Sequence, residues 1–343
     1  MAQISVIGAG IGGMSAAARL ARQGHDVTIY ENSDRSGGKC RTEWFGDYGF
    51  DTGPSLLTLP AVYRDLFIKT GKRLEHILEL TPVDPAFSYH FSDGKSVTFP
   101  NLSNPKTYLE IEKSFGSTAS QSWKKIITRS EKMWEASRES FVESELKSIW
   151  PLLKRKNLIS QIGEIAPFTS LRRLSEKLDL DPHLRMIIDR YATYTGSDPR
   201  RAPAVLLTIA FVESTFGAWH IKGGIGQLSV AIEQRCRDLG VKFEFNTLVS
   251  KILTNGNLVT GIEIAGGKQI TSDIVVANSD AEYVYNQLLD KKVSNAKGER
   301  RKLKVATKSL AGFSLLLGLD NSKGDSVPLN HHNVYFPKDY DAE

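Results

Sequence analysis

The sequence predicts an α/β protein in which parallel strands alternate with helices, interrupted by a long and mostly helical insert. Three observations carry that prediction. Residues 4–31 read as strand, glycine turn, helix, strand and acid in unbroken order. Residues 104–215 are patterned as helices rather than strands. From Gly223 to Asn278 the alternation of helix and strand resumes. At 343 residues, the chain is long enough for two domains and a sizeable core.

The first strand is the apolar run Ile4 to Ile7, suited to burial between parallel neighbours. Gly8, Gly10 and Gly13 complete a G-x-G-x-x-G pattern, with Ile11 and Gly12 inside it. Gly8 permits a tight turn, Gly10 lets backbone approach a pyrophosphate, and Gly13 lets a helix pack close to the strand. Met14 to Arg22 is rich in alanine and other helix formers. Its N-terminus aims unpaired amides and a partial positive charge at phosphate. Gly24 stands at the C-terminal position of that helix. Val27 to Tyr30 is the second strand, and Glu31 at its end lies where a ribose hydroxyl would be held. The ordered set describes a Rossmann-like pocket for a dinucleotide without a 2′-phosphate.

A second glycine pair, Gly37-Gly38, follows and lets another stretch of backbone approach the same ligand. This pair favours a flavin dinucleotide over a nicotinamide one. Arg41 is suited to phosphate, or to negative charge on a flavin. Gly49 to Pro54 reads as a strand end and turn. Asn32, Lys39, Gly53 and Pro54 complete the expected cofactor contacts in this part of the chain.

The run from Val6 to Pro60 resembles the N-terminus of the bacterial-type phytoene desaturases, the carotenoid branch of the FAD-dependent amine-oxidase superfamily. Three later segments carry the same resemblance: Arg190 to Gly196 with Ala202-Pro203-Ala204, Gly217 to Gly224, and Val275 to Asp280. The resemblance implies a GR2-type flavoprotein: a Rossmann-like FAD-binding domain with an inserted mixed-sheet substrate domain and a helical, membrane-facing insert. It implies FAD as cofactor and a carotenoid-type lipid as substrate. It also implies that the strand holding Val249 touches the adenine through its backbone. Family members are longer and carry a second glycine-rich flavin motif. No such motif occurs before Glu343, so the flavin-closing segment is expected to be absent from this chain, which reads as stopping in mid-domain.

The remaining elements follow in order. Phe87 to Phe91 and Ser96 to Phe99 read as short strands joined by the turn Ser92-Asp93-Gly94. Ile225 to Leu239 reads as an amphipathic helix capped by Gly240, and Val241 to Phe245 as the next strand. Val249 to Leu253 and Val259 to Ile264 flank Asn255-Gly256-Asn257, a hairpin signal. Asp273 to Asn278 returns to the sheet, and Leu310 to Leu319 reads as an apolar strand of the substrate domain. The expected domains are a discontinuous FAD-binding domain at 1–70 and 222–300, a substrate-domain sheet at 71–103 and 301–343, and a helical insert at 104–221.

Charge and aromatic residues concentrate in that insert. Between Gln121 and Ser160 nine Lys or Arg stand against five Glu, while the whole chain is only +5. Trp123, Ile127, Trp134 and Phe141 share one helix face, Trp150 lies close by, and Lys124, Lys125, Lys132, Lys154, Arg155 and Lys156 supply basic charge. Such a stripe is either a core face with a solvated back or an interfacial membrane contact. A lipid substrate favours the membrane. Nucleic acid is discounted, because no recognition motif occurs and the basic residues alternate with glutamates.

Cys40 and Cys236 form no disulfide framework, which suits a reducing cytoplasm. The seven histidines show no metal-ligand spacing, so no metal site is expected. The N-terminus has no basic n-region, and the longest apolar stretch, Ala202 to Val212, is too short to span a bilayer. The expectation is a cytoplasmic protein, peripheral on the inner face of the membrane.

A desaturase must remove a hydride and a proton from a saturated carbon pair, and the cofactor does most of that chemistry. A polyene needs a long apolar tunnel, for which Tyr191, Tyr194, Phe216 and Trp219 are candidate walls. No catalytic residue is assigned. The alternatives are another flavin oxidase of the same superfamily and a non-catalytic flavin-binding remnant.

Overall fold

The computed structural model describes residues 1–141, 163–319 and 329–342. The chain opens with β1 (Gln3–Ile7), α1 (Ile11–Arg22) and β2 (Asp26–Tyr30), then the hairpin β3 (Thr42–Phe45) and β4 (Tyr48–Asp51), helix α2 (Pro60–Thr70) and β5 (Leu80–Pro82). Strands β6 (Phe87–His90) and β7 (Ser96–Phe99) lead into α3 (Asn104–Phe115), α4 (Ser117–Phe141), α5 (Leu171–Lys177), α6 (Pro182–Arg190) and α7 (Thr208–Phe216). Alternation returns with β8 (Trp219–Ile221), α8 (Gly226–Asp238), β9 (Lys242–Glu244), β10 (Val249–Asn255), β11 (Leu258–Ile264), β12 (Gln269–Thr271) and β13 (Ile274–Ala277). A single turn α9 (Ala281–Tyr283), helix α10 (Lys297–Val305) and β14 (Asn333–Tyr335) follow.

By contacts the chain divides into two compact units. The first is Met1–Thr81, Trp219–Lys308 and Leu316–Gly318; the second is Pro82–Ala218, Ser309–Leu315 and Leu319–Glu343. Strands β6 and β7 thus share one unit with helices α3 to α7, and α10 belongs with the first unit.

The first unit is built on a parallel sheet in the order β13-β1-β2-β9. Ile4 pairs with Val27 on one side and Ile274 on the other, and Thr28 pairs with Lys242. Ile4, Val6, Val27 and Ile29 are buried, as strands covered on both faces require. Helices α1 and α8 cover one face, where the Cys236 thiol donates to the Met14 carbonyl at 3.2 Å. The expected hairpin is present: β10 and β11 pair antiparallel from Val249↔Ile264 to Asn255↔Leu258, with Gly256 at φ +60° in the loop. Their apolar face packs with Ile7 and Tyr30 in a second cluster around Ile252 and Ile262.

In the second unit β14 pairs parallel with β6, which pairs antiparallel with β7. Helix α4 lies with Trp123, Ile126, Ile127, Ser130 and Met133 buried and Lys124, Lys125 and Lys132 exposed. Trp123 packs its ring against Phe99 at 5.3 Å, and Trp134 meets Phe216 at 5.9 Å. Ser130 ties the helix inward, donating to the Leu207 carbonyl at 2.6 Å and accepting from the Phe211 amide at 2.9 Å. Trp123 and Ile127 of the aromatic stripe are therefore core residues, which corrects the membrane reading at those two positions. Trp150, Lys154, Arg155 and Lys156 lie outside the described residues, as does the side chain of Phe141.

A second correction concerns Leu310 to Leu319. The segment forms no strand, and its Leu and Phe side chains are exposed, Phe313 at 91%. The Leu310 amide donates to the Gly196 carbonyl at 2.7 Å, but no neighbouring strand pairs with the run among the described residues. An apolar run becomes a strand only where a second strand takes its amides and carbonyls.

Candidate functional site

At the carboxyl ends of β1 and β2 the first unit opens into a cleft of about 740 Å³. Doubly wound sheets place ligands at that edge. The turn after β1 is shaped by its glycines. Gly8, at φ +96°, donates its amide to the Tyr30 carbonyl at 2.8 Å. A side chain at Gly13 would place Cβ 2.2 Å from the Gly8 carbonyl oxygen, so Gly13 is what allows α1 to start against the strand. Gly10 is the N-cap of α1 and no side chain caps it. The first-turn amides of the helix are left for a ligand or water.

Glu31 does more than stand at a strand end. One carboxylate oxygen accepts the Ala9 amide at 2.6 Å and the other accepts the Ser33 amide at 2.9 Å. The acid thereby fastens the glycine turn to the loop after β2. A carboxylate offers about four acceptor positions, so two remain for a ligand hydroxyl. The same loop is held from the other side, where the Thr247 amide donates to the Glu31 carbonyl at 2.8 Å.

The second glycine pair folds onto the first turn. The Gly37 amide donates to the Ala9 carbonyl at 2.9 Å, and a Cβ at Gly38 would stand 3.4 Å from the Gly10 Cα. Gly53 is dictated by close packing, since its Cβ would lie 1.8 Å from the Lys39 carbonyl oxygen.

Of the expected cofactor residues, Gly8, Gly10, Ile11, Glu31, Asn32, Gly37, Gly38, Lys39, Pro54 and Val249 line this one cleft. Gly12, Gly13, Arg41 and Gly53 are not among its lining residues. Arg41 is paired with Glu43 at 2.7 Å. Sequence reasoning missed Ile7, Tyr30, Cys40, Tyr63, Thr247, Leu248, Asn278, Ser279, Asp280 and Tyr283 as lining residues. A signal for three of them existed: Asn278, Ser279 and Asp280 stand just beyond the fourth strand of the parallel sheet. Burial raises the pKa of Tyr30, Tyr63 and Cys40, so all three hold their protons at neutral pH. The Cys40 thiol donates to the Ile225 carbonyl at 3.6 Å and behaves as a small buried residue.

Each candidate tunnel residue has packing or hydrogen-bond partners. In the second unit Arg190 lies over the rings of Phe87, Tyr89, Tyr191 and Tyr194, with its guanidinium carbon 4.9–5.6 Å from their centroids. It also donates to Glu213 at 3.1 Å and to the Tyr89 hydroxyl at 3.1 Å, and Tyr194 donates to Glu213. The cavity lined by Tyr191 and Glu213 is about 20 Å³, room for one water rather than a polyene. Phe216 packs with Trp134 and Phe211, and Trp219 exchanges two backbone hydrogen bonds with Leu57 in the first unit. No group of three or more His, Cys, Asp or Glu suited to a metal occurs among the described residues.

The sequence profile described as flavin containing amine oxidoreductase matches residues 11–303. A protein of Myxococcus xanthus named zeta-carotene-forming phytoene desaturase is 32% identical over 98% of this chain and 63% of its own length. A protein of Methylomonas sp named 4,4'-diapolycopene oxygenase is 28% identical over 97% of this chain and 65% of its own. The chain thus spans less than two thirds of the length of these relatives. An oxidoreductase from Methanosarcina mazei has a similar structure, with a TM-score of 0.61 and 17% identity over 87% of this chain and 64% of that one. That likeness establishes the shared α/β fold.

Proposed function

We propose, from the premise that the chain belongs to the flavin containing amine oxidoreductase family, that its cleft holds FAD and that the longer protein desaturates a carotenoid-type polyene. The observation that carries this reading is the 32% identity, over 98% of the chain, to the relative named a phytoene desaturase. The cleft fits the cofactor on its own terms. Ten residues expected from the sequence to touch a dinucleotide converge on one concavity beside an uncapped helix N-terminus.

In this reading the α1 amides face the pyrophosphate, Glu31 accepts from a ribose hydroxyl, and Val249 lies against the adenine. Gly12 and Gly13 shape the turn, Gly53 lets the second glycine loop pack, and Arg41 acts through its pair with Glu43. Bound flavin supplies an acceptor for the hydride that leaves the polyene. Tyr30, Tyr63 and Cys40 keep their protons and are unsuited to take the proton that accompanies it.

A polyene resides in lipid, so the longer protein works at a bilayer surface, peripheral and on the cytoplasmic face. No described helix is long and apolar enough to cross a membrane. The test is to express the full-length gene in cells that accumulate phytoene and to chromatograph the extracted pigments. A product with more conjugated double bonds supports the reading, and unaltered phytoene overturns it. Oxygen gained at unchanged conjugation would favour a second reading, oxygenation of the polyene, which the Methylomonas relative's name motivates.

A further inference from the structure

Asn278 follows β13 and continues its ladder, donating its backbone amide to the Ile7 carbonyl at 2.8 Å. Its side chain then lies along the glycine turn after β1. A Cβ built on Gly12 would stand 2.6 Å from Asn278 Oδ1, one on Gly10 3.0 Å from Nδ2, and one on Gly13 3.2 Å from the Asn278 Cβ. A Cβ on Gly8 would meet the Asn278 carbonyl oxygen at 2.8 Å. The glycines are thus required by this asparagine as well as by what binds the turn.

The Asn278 carboxamide lines the cleft, is exposed, and makes no hydrogen bond among the described residues. Its neighbour Asp280 is committed elsewhere, accepting the Glu282 amide at 2.8 Å to cap α9. Asn278 therefore places an unbonded polar group along the glycine turn, next to Gly10 and Gly12, beside helix amides that have no partner in their own helix. The carboxamide lines the same cleft as Gly10, the N-cap of α1, and its NH₂ is a neutral donor.

We propose that Asn278 binds the cofactor directly, donating from Nδ2 to its pyrophosphate. The proposal rests on the flavin reading above and adds a residue from the far end of the sheet to the phosphate site. No bond is made or broken. The role is binding, and its signature is dependence on the ligand's phosphates.

The test is equilibrium binding of FAD, ADP and adenosine to this chain, by calorimetry, with circular dichroism to monitor folding. Asn278→Asp keeps the shape but replaces the donor with an anionic oxygen. It is expected to weaken FAD and ADP by about tenfold or more, the loss of a charge-assisted hydrogen bond, and to leave adenosine unchanged. Asn278→Ser, which keeps a donor, should lose less. If Asn278→Asp binds FAD and ADP as tightly as the unaltered chain, the proposal is overturned and the flavin reading stands. If the unaltered chain binds neither FAD nor ADP, both fall together.

Discussion

Glu31 shows how a residue legible in sequence can carry a role that the sequence does not reveal. Its place after the second strand marked it as the ribose acid. Its bonds to the Ala9 and Ser33 amides add a structural duty, holding the glycine turn shut against the next loop. Glu31→Ala should therefore weaken FAD by about 1–3 kcal/mol, as expected for a charged hydrogen bond. Glu31→Gln should lose less, because its amide oxygen still accepts one backbone bond. Fluorescence titration with FAD checks both, and an unchanged affinity in the alanine variant would remove Glu31 from the site. Asn278 was legible only as a residue just past a sheet strand, and it is the parallel register of β1 with β13 that brings it to Gly8. His332 offers a prediction of another kind. Burial, with the positive charge of His331 and Arg190, lowers its pKa from 6.5 to about 4. The unfolded chain then binds a proton between those values that the folded chain refuses, so this group destabilises the fold as pH drops from 6.5 towards 4. Asp189, raised to about 6 by burial, acts with the opposite sign in the overlapping range. The informative comparison is therefore His332→Phe against the unaltered chain. The variant should gain relative stability on acidification, by up to about 1.4 kcal/mol per pH unit, in urea unfolding at pH 4.5 and pH 7. A constant difference would show that His332 does not titrate this way.

At the scale of the element, helical periodicity fixes which residues share a face but not what covers that face. Trp123, Ile127 and Trp134 were legible as one stripe of a helix, and they do lie together on α4. Whether lipid or protein covers them depends on β7, α7 and the chain before α7, which are distant in sequence. Phe99, Phe216 and Leu207 supply the answer, and Trp123 is 2% exposed. Trp123→Ala should accordingly lower stability by about 3–5 kcal/mol, the range for emptying a large aromatic site in a core. Liposome binding should not change once folding is allowed for. A folded variant that lost lipid binding instead would restore the membrane reading of this stripe. The parallel sheet and the Asn255–Leu258 hairpin were more legible, because their signals are local: buried apolar runs, glycine at the turn and acid at the strand end. Leu310 to Leu319 failed for the complementary reason, since an apolar run specifies a strand only together with its pairing partner.

At the scale of the whole molecule, the described residues include an apolar run that a folded chain ordinarily covers. Leu310, Phe313, Leu315, Leu317 and Leu319 are all more than 60% exposed within ten residues. The chain also spans only 63% of the relative that it matches at 32% identity. Contiguous exposed apolar side chains mark either an interaction surface or an aggregation hazard, and a net charge of +5 is a modest counterweight. The two compact units each have their own core, so this segment should not decide whether either one folds. It should decide how the chain behaves at high concentration. The purified chain should self-associate as concentration rises, and more strongly in ammonium sulfate, because excluded salts strengthen apolar burial while screening charge repulsion. Replacing Phe313 and Leu317 by serine should suppress that association and leave the free energy of unfolding within about 0.5 kcal/mol, since neither side chain is buried. Light scattering against concentration, beside a urea titration, separates the two effects. Association that persists in the double variant would place the adhesive surface elsewhere. A large loss of stability would show that the segment is packed in solution after all.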